Sequence, residues 1–179
     1  MRDEYRELWG DIPIVLCSEE NYLGPQETYT KKQAIATADR TPLTQLADPY
    51  NMVLLYSNLY LDENIQLICH IVPEIKKFIF IGDARQINQT NNLDIRNKLK
   101  KTHPNVEYQF ITPQDMTTNQ LLDSLYFVDP KTTGVLFSSW FYKTTFAGNT
   151  SLVSNAHKLI GTTAAPIFTL NMADITEEN

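Results

Sequence analysis

From Ile12 onward the chain alternates short apolar runs with stretches whose apolar residues recur at helical spacing, and this pattern narrows the possible folds more than any other feature. The strongest run is Phe78-Ile79-Phe80-Ile81-Gly82-Asp83, continuously apolar and so suited to a strand buried on both faces. Val106–Ile111, Gly134–Trp140 and Pro166–Leu170 also read as strands. Before the first of them, Leu61, Ile65, Ile68, Cys69 and Val72 fall on one face of a helix. Helices are also predicted near Asn91 to Lys101, with Ile95 and Leu99 inward, and from about Thr150 to Ile160, with Leu152, Val153, Ala156, Leu159 and Ile160 on one side. Thr117 with Gln120 three residues later spells a capping box opening a helix that buries Leu121, Leu122 and Leu125. Four strands joined by single helices require crossover connections, hence a parallel sheet covered on both faces. The expected fold class is α/β, doubly wound and mostly parallel.

The N-terminal third is less regular. Ile12–Cys17 reads as a buried strand ending at polar Ser18-Glu19-Glu20-Asn21, and Met52–Tyr56 as another strand. Between them, from about Tyr22 to Pro49, Gly24-Pro25, Thr41-Pro42 and Asp48-Pro49 mark a connector with one short helix around Lys31 to Ala38.

The chain has 179 residues, 42% hydrophobic and 20% charged, enough apolar material for a core. Its six glycines include no G-x-G, which excludes a Walker loop and a glycine-rich dinucleotide turn. A formal charge of −6 has the wrong sign for a protein that neutralises phosphate backbones, so no nucleic-acid partner is expected. The basic cluster of Arg96 and Lys98 to Lys101 reads as a solvated helix face. No apolar run approaches the ~20 residues of a membrane span, and the N-terminus lacks the apolar core of a secretory signal. The chain is then expected to be cytosolic or a piece of something longer.

In open parallel sheets, ligands bind beyond the carboxyl ends of the strands. The residues placed there are Ser18, Glu19, Glu20, Asn21, Ser57, Asn58, Asp83, Ser138, Ser139, Trp140, Phe141, Asn171, Met172 and Asp174. From these the candidate ligand-binding set is Ser18, Glu20, Asn58, Asp83, Trp140 and Asn171, a mixture suited to a neutral polar solute. Polar residues at strand ends also cap the helices that follow, and both readings stand for Asp83, Trp140 and Asn171. Glu19-Glu20, Asp83 and Ser138 imitate part of a phosphoacceptor receiver domain, yet the last strand ends without the required Lys. No nucleophile elbow occurs, and His70, His103 and His157 are too scattered to assemble a base or a zinc site, so no catalytic residue, metal or cofactor is expected. Cys17 and Cys69 read as two buried thiols, with nothing in their spacing to support a bridge.

Four strings in order along the chain, Tyr5–Cys17, Ile71–Lys77, Val128–Leu136 and Ala165–Leu170, resemble the periplasmic sensor domains of hybrid two-component histidine kinases of Bacteroides type. These domains are similar in turn to the substrate-binding proteins of ABC transporters with the type I periplasmic-binding fold. The resemblance implies a small solute held between two Rossmann-like lobes, with residues 1–50 a remnant of the first lobe plus a connector and 51–179 the crossover and second lobe. It further implies a periplasmic segment without catalytic activity, whose partners are the solute and the rest of a membrane-anchored kinase chain. A free transporter-associated binding protein is the alternative. An incomplete first lobe would expose an apolar sheet face, so self-association is expected.

Overall fold

The computed structural model of the chain describes residues 12–47, 51–56, 59–146, 149–154 and 163–170, with backbone alone for 46–47, 142–146 and 149–154. Its contacts divide the chain into two units, one comprising Met1–Lys31 and Ile35–Leu59, the other Lys32–Ala34 and Tyr60–Asn179.

In the first unit, β1 (Ile14–Ser18) pairs in parallel with β4 (Met52–Tyr56), in register from Ile14 opposite Met52 to Ser18 opposite Tyr56. Between them lie β2 (Tyr22–Leu23), α1 (Gln26–Thr30), a single 3-10 turn (Thr37–Asp39), β3 (Thr41–Pro42), which pairs antiparallel with β2, and α2 (Leu43–Ala47). Three expectations change here. The connector's helix precedes Lys31, because Lys32 takes a left-handed conformation (φ 52°) that ends helical continuation. Met52–Tyr56, expected as part of the crossover between lobes, pairs with β1 and groups with it in the first unit. Ile12–Cys17 is not a buried strand: with β4 as the one partner of β1 among the described residues, Val15 and Cys17 stay exposed while Ile14 and Leu16 are half-buried.

The second unit contains α3 (Leu61–Ile71), β5 (Lys77–Ile81), α4 (Gln86–Thr102), β6 (Glu107–Ile111), α5 (Thr118–Tyr126), β7 (Thr133–Phe137), β8 (Phe141–Phe146), β9 (Asn149–Ser154) and β10 (Ile167–Thr169). Its main sheet has the order β10-β7-β5-β6, all parallel, as in a doubly wound Rossmann-like α/β fold.

Strand alternation builds the two sides of this sheet. Phe78, Phe80 and Leu136 point to the side where α3 and α4 bring Ile65, Ile68, Ile95 and Leu99. Ile79, Ile81, Val135 and Phe137 point to the side where α5 brings Leu121 and Leu125, together with Trp140. Each of these fully buried side chains contributes on the order of 1.5–3 kcal/mol, which makes the central strands β5 and β7 the centre of stability. Gly134 lets α3 approach β7, for a Cβ there would lie 3.0 Å from Ile75 Cδ1 and closer still to Ile68 Cγ2.

The capping box forms as the sequence predicts: Thr117 Oγ1 accepts from the Gln120 amide, and Gln120 Oε1 accepts from the Thr117 amide. Two helix predictions change. The helix expected at 91–101 begins five residues earlier, at Gln86, because its polar first turns are buried against the sheet's carboxyl edge. Over 149–154 the predicted helix is instead the second strand of the β8–β9 hairpin, in antiparallel register from Phe141 opposite Ser154 to Phe146 opposite Asn149. Thr150, Ser151 and Val153 favour extended backbone, and a complete ladder to an aromatic- and Thr-rich partner strand outweighs weak helical spacing. The rest of that prediction, 155–160, lies outside the described residues.

Candidate functional site

The carboxyl edge of the main sheet gathers its polar side chains around Asp83. The β5–β6 and β5–β7 ladders run one residue past the strands: the Gly82 amide donates to Ile111 O at 3.1 Å and the Ser138 amide to Ile81 O at 2.9 Å. This brings Ser139 beside Asp83, 56 residues apart in sequence, and Ser139 Oγ donates to Asp83 Oδ2 at 2.7 Å. Asn88, in the first turn of α4, donates through Nδ2 to Asp83 Oδ1 and is also 2.9 Å from Ser139 Oγ. Gly82 makes room for it, since a Cβ there would stand 3.0 Å from Asn88 Cγ.

Arg85 completes the cluster. Its amide donates to Asp83 Oδ1 at 2.8 Å, and its Nε lies 3.0 Å from both carboxylate oxygens. The guanidinium carbon sits 5.0 Å from the centroid of the Phe141 ring, a cation–π contact. The Asp83 side chain is 3% exposed and that of Arg85 46%, so the carboxylate forms a buried base from which the guanidinium reaches toward solvent. A buried carboxylate is tolerated only when paired and hydrogen-bonded, and here the Arg85 amide and Nε, Asn88 Nδ2 and Ser139 Oγ all donate to it. Two buried polar atoms nearby on α4, Asn88 Oδ1 and Asn91 Nδ2, have no partner among the described residues. At the end of β6, Asp115 Oδ2 accepts from both the amide and the hydroxyl of Thr112, closing that turn on itself.

Of the four candidate residues that are described, Asp83 is the one that lies in this cluster as a polar contributor. Trp140 is 0% exposed, packed among Ile79, Leu121 and Phe137, with its indole Nε1 donating to Thr118 Oγ1 at 3.0 Å. Its ring is part of the core and is not placed to stack on a solute. Ser18 and Glu20 lie in the first unit, where Ser18 Oγ accepts from the Glu20 amide and Glu20 Oε1 accepts from the Tyr22 hydroxyl at 2.6 Å. Asn58 and Asn171 lie outside the described residues, as do Ser57, Met172 and Asp174. Arg85 and Asn88 escaped the sequence reading; the signal that could have found them is the polar face Asn88, Asn91 in line with apolar Ile95 and Leu99, which marks a helix whose amino end is buried among polar groups.

The cysteines correct another expectation: Cys17 is exposed and Cys69 half-buried, both as free thiols. Burial pushes the Cys69 thiol above its ordinary value. Among the described residues no cluster of three or more His, Cys, Asp or Glu could hold a metal ion, and no helix is long and apolar enough to cross a membrane.

Fold and site together define an α/β protein with an arginine-bearing polar cluster at the carboxyl edge of a doubly wound sheet. No family model, curated protein or solved structure matches the chain.

Proposed function

We propose that this edge recognises a small solute and that the chain is a ligand-sensing segment of a membrane-anchored, periplasmic two-component sensor kinase. The observation carrying the first part is the Asp83–Ser139–Asn88 network, which holds a half-exposed Arg85 rigidly at the strand ends, where parallel sheets bind ligands. The second part rests on the resemblance of the strings Tyr5–Cys17, Ile71–Lys77, Val128–Leu136 and Ala165–Leu170 to such sensors. A solute that binds one conformation of the sensor better than another shifts its equilibrium by that difference in affinity, and the kinase portion of the chain reads the shift. The segment itself carries out no reaction.

The phosphoacceptor alternative finds less support, because both oxygens of Asp83 are buried and engaged by Arg85, Asn88 and Ser139. Acetyl phosphate with magnesium is expected to leave Asp83 unlabelled, as read by mass spectrometry; a labelled Asp83 peptide would revive that alternative. Solute recognition is tested by thermal melts of the 179-residue chain against sugars, amino acids, nucleobases and small organic acids. A ligand at about one hundred times its Kd adds roughly 2.7 kcal/mol. The expected result is a concentration-dependent rise in Tm with one solute class; a panel without any such rise contradicts the proposal.

A further inference from the structure

We infer that the solute carries an oxyanion group, carboxylate or phosphate, and that the guanidinium of Arg85 receives it; this rests on the solute-binding reading above. The sequence suggests a neutral polar ligand because the strand ends mix carboxylates, amides, hydroxyls and aromatics. In the structure Asp83 is not the face a ligand meets. Its oxygens lie beneath the surface and accept from the Arg85 amide and Nε, from Asn88 Nδ2 and from Ser139 Oγ.

Asp83 engages the guanidinium through Nε, and the two terminal nitrogens have no hydrogen-bond partner among the described residues. Those nitrogens form the planar donor fork that matches a carboxylate or phosphate edge. Its plane is held from two directions, by the Nε contact to a buried carboxylate and by Phe141 at 5.0 Å. A fork fixed in this way loses little side-chain freedom on binding. Arg85 is also the N-cap of the 17-residue α4, whose first turn contains no acidic residue, so the partial positive charge of the helix end adds to the same region. The net charge of −6 does not prevent this, because exposed charges beyond a screening length of about 8–10 Å are largely masked at physiological salt.

The test is a titration of the isotope-labelled 179-residue chain with succinate, inorganic phosphate and glucose at constant ionic strength, balanced with chloride, following the Arg85 Nε–H resonance by NMR. Succinate or phosphate is expected to move it saturably and glucose not at all, and the anion that saturates at lower concentration distinguishes carboxylate from phosphate. Arg85→Lys keeps the charge but not the fork and is expected to weaken binding roughly tenfold or more, while Arg85→Gln abolishes it. A linear drift equal to that from chloride, or saturation unchanged in Arg85→Gln, overturns the inference. The wild-type titration decides the matter even where a variant fails to fold. If neither anion saturates but a neutral solute stabilises the chain, the anion inference falls and solute recognition stands; if no solute of any class binds, both fall.

Discussion

Asp83 and Arg85 divide one task at the scale of single residues: the carboxylate is buried and fixed, and the guanidinium is what it fixes. Replacing Asp83 by Asn removes charge-assisted bonds without changing size, and is expected to lower stability by about 1.5–3 kcal/mol in urea unfolding. A loss below experimental error would mean that the cluster does not hold together as described. The cysteines give a second check. Cys17 is exposed, whereas Cys69 is half-buried with its thiol held less acidic by burial, so iodoacetamide at neutral pH is expected to alkylate Cys17 first. Mass spectrometry showing Cys69 modified earlier would contradict this. Asp83 was legible in the sequence because a strong strand with a polar residue after it has a known geometry. For Trp140 the sequence leaves two readings open for a physical reason: an aromatic at a strand end can stack on a ligand or turn inward, and the internal acceptor that the indole meets, Thr118, lies 22 residues earlier.

Elements were predicted well wherever burial covers both sides of a segment and poorly where pairing with a distant segment decides. The strands at Phe78, Val106 and Gly134, and the capping box at Thr117, stand where the sequence places them, their starts within a residue. The hairpin strand Asn149–Ser154 does not, because its extended form depends on Phe141–Phe146. Close packing of α3 on β7 makes Gly134→Ala a direct test. The added methyl meets Ile68 and Ile75, and the expected cost is about 1–3 kcal/mol, measured by urea unfolding. A neutral substitution would show that α3 can retreat freely.

The turn before β7 gives a pH prediction. Asp129 accepts from the Lys131 amide at 3.0 Å and from the Thr132 hydroxyl, and these bonds hold its carboxyl below the ordinary aspartate value of 3.8. A depressed folded-state pKa stabilises the fold fully above the unfolded value, and that contribution is lost as pH falls through the folded one. Asp129→Asn is therefore expected to flatten the acid limb of the stability curve below about pH 4 and to leave its shape at neutral pH unchanged.

At the scale of the whole molecule, the main sheet of the second unit is covered on both sides, whereas the parallel strands of the first unit form a pair of two. Parallel strands are ordinarily buried on both faces, yet Val15, Val53 and Leu55 are 61%, 58% and 55% exposed. This patch is expected to drive concentration-dependent self-association across micromolar concentrations in sedimentation velocity, and Val15→Lys with Val53→Lys to suppress it. A clean monomer without dye-accessible apolar surface would contradict that. The sequence could not show that Met52–Tyr56 sides with β1, since pairing choice is a property of the whole chain. Nor could it show that residues 83, 85, 88 and 139 converge, since only the parallel order of β5 and β7 joins them. The most direct test of the account is chemical-shift mapping of the labelled chain with the solute that most raises its Tm. Perturbations centred on Gly82 to Asn88 and on Ser138 to Phe141 are the expected result; perturbations centred instead on Ser18 to Asn21, or none with any solute, would contradict solute recognition at the sheet's carboxyl edge.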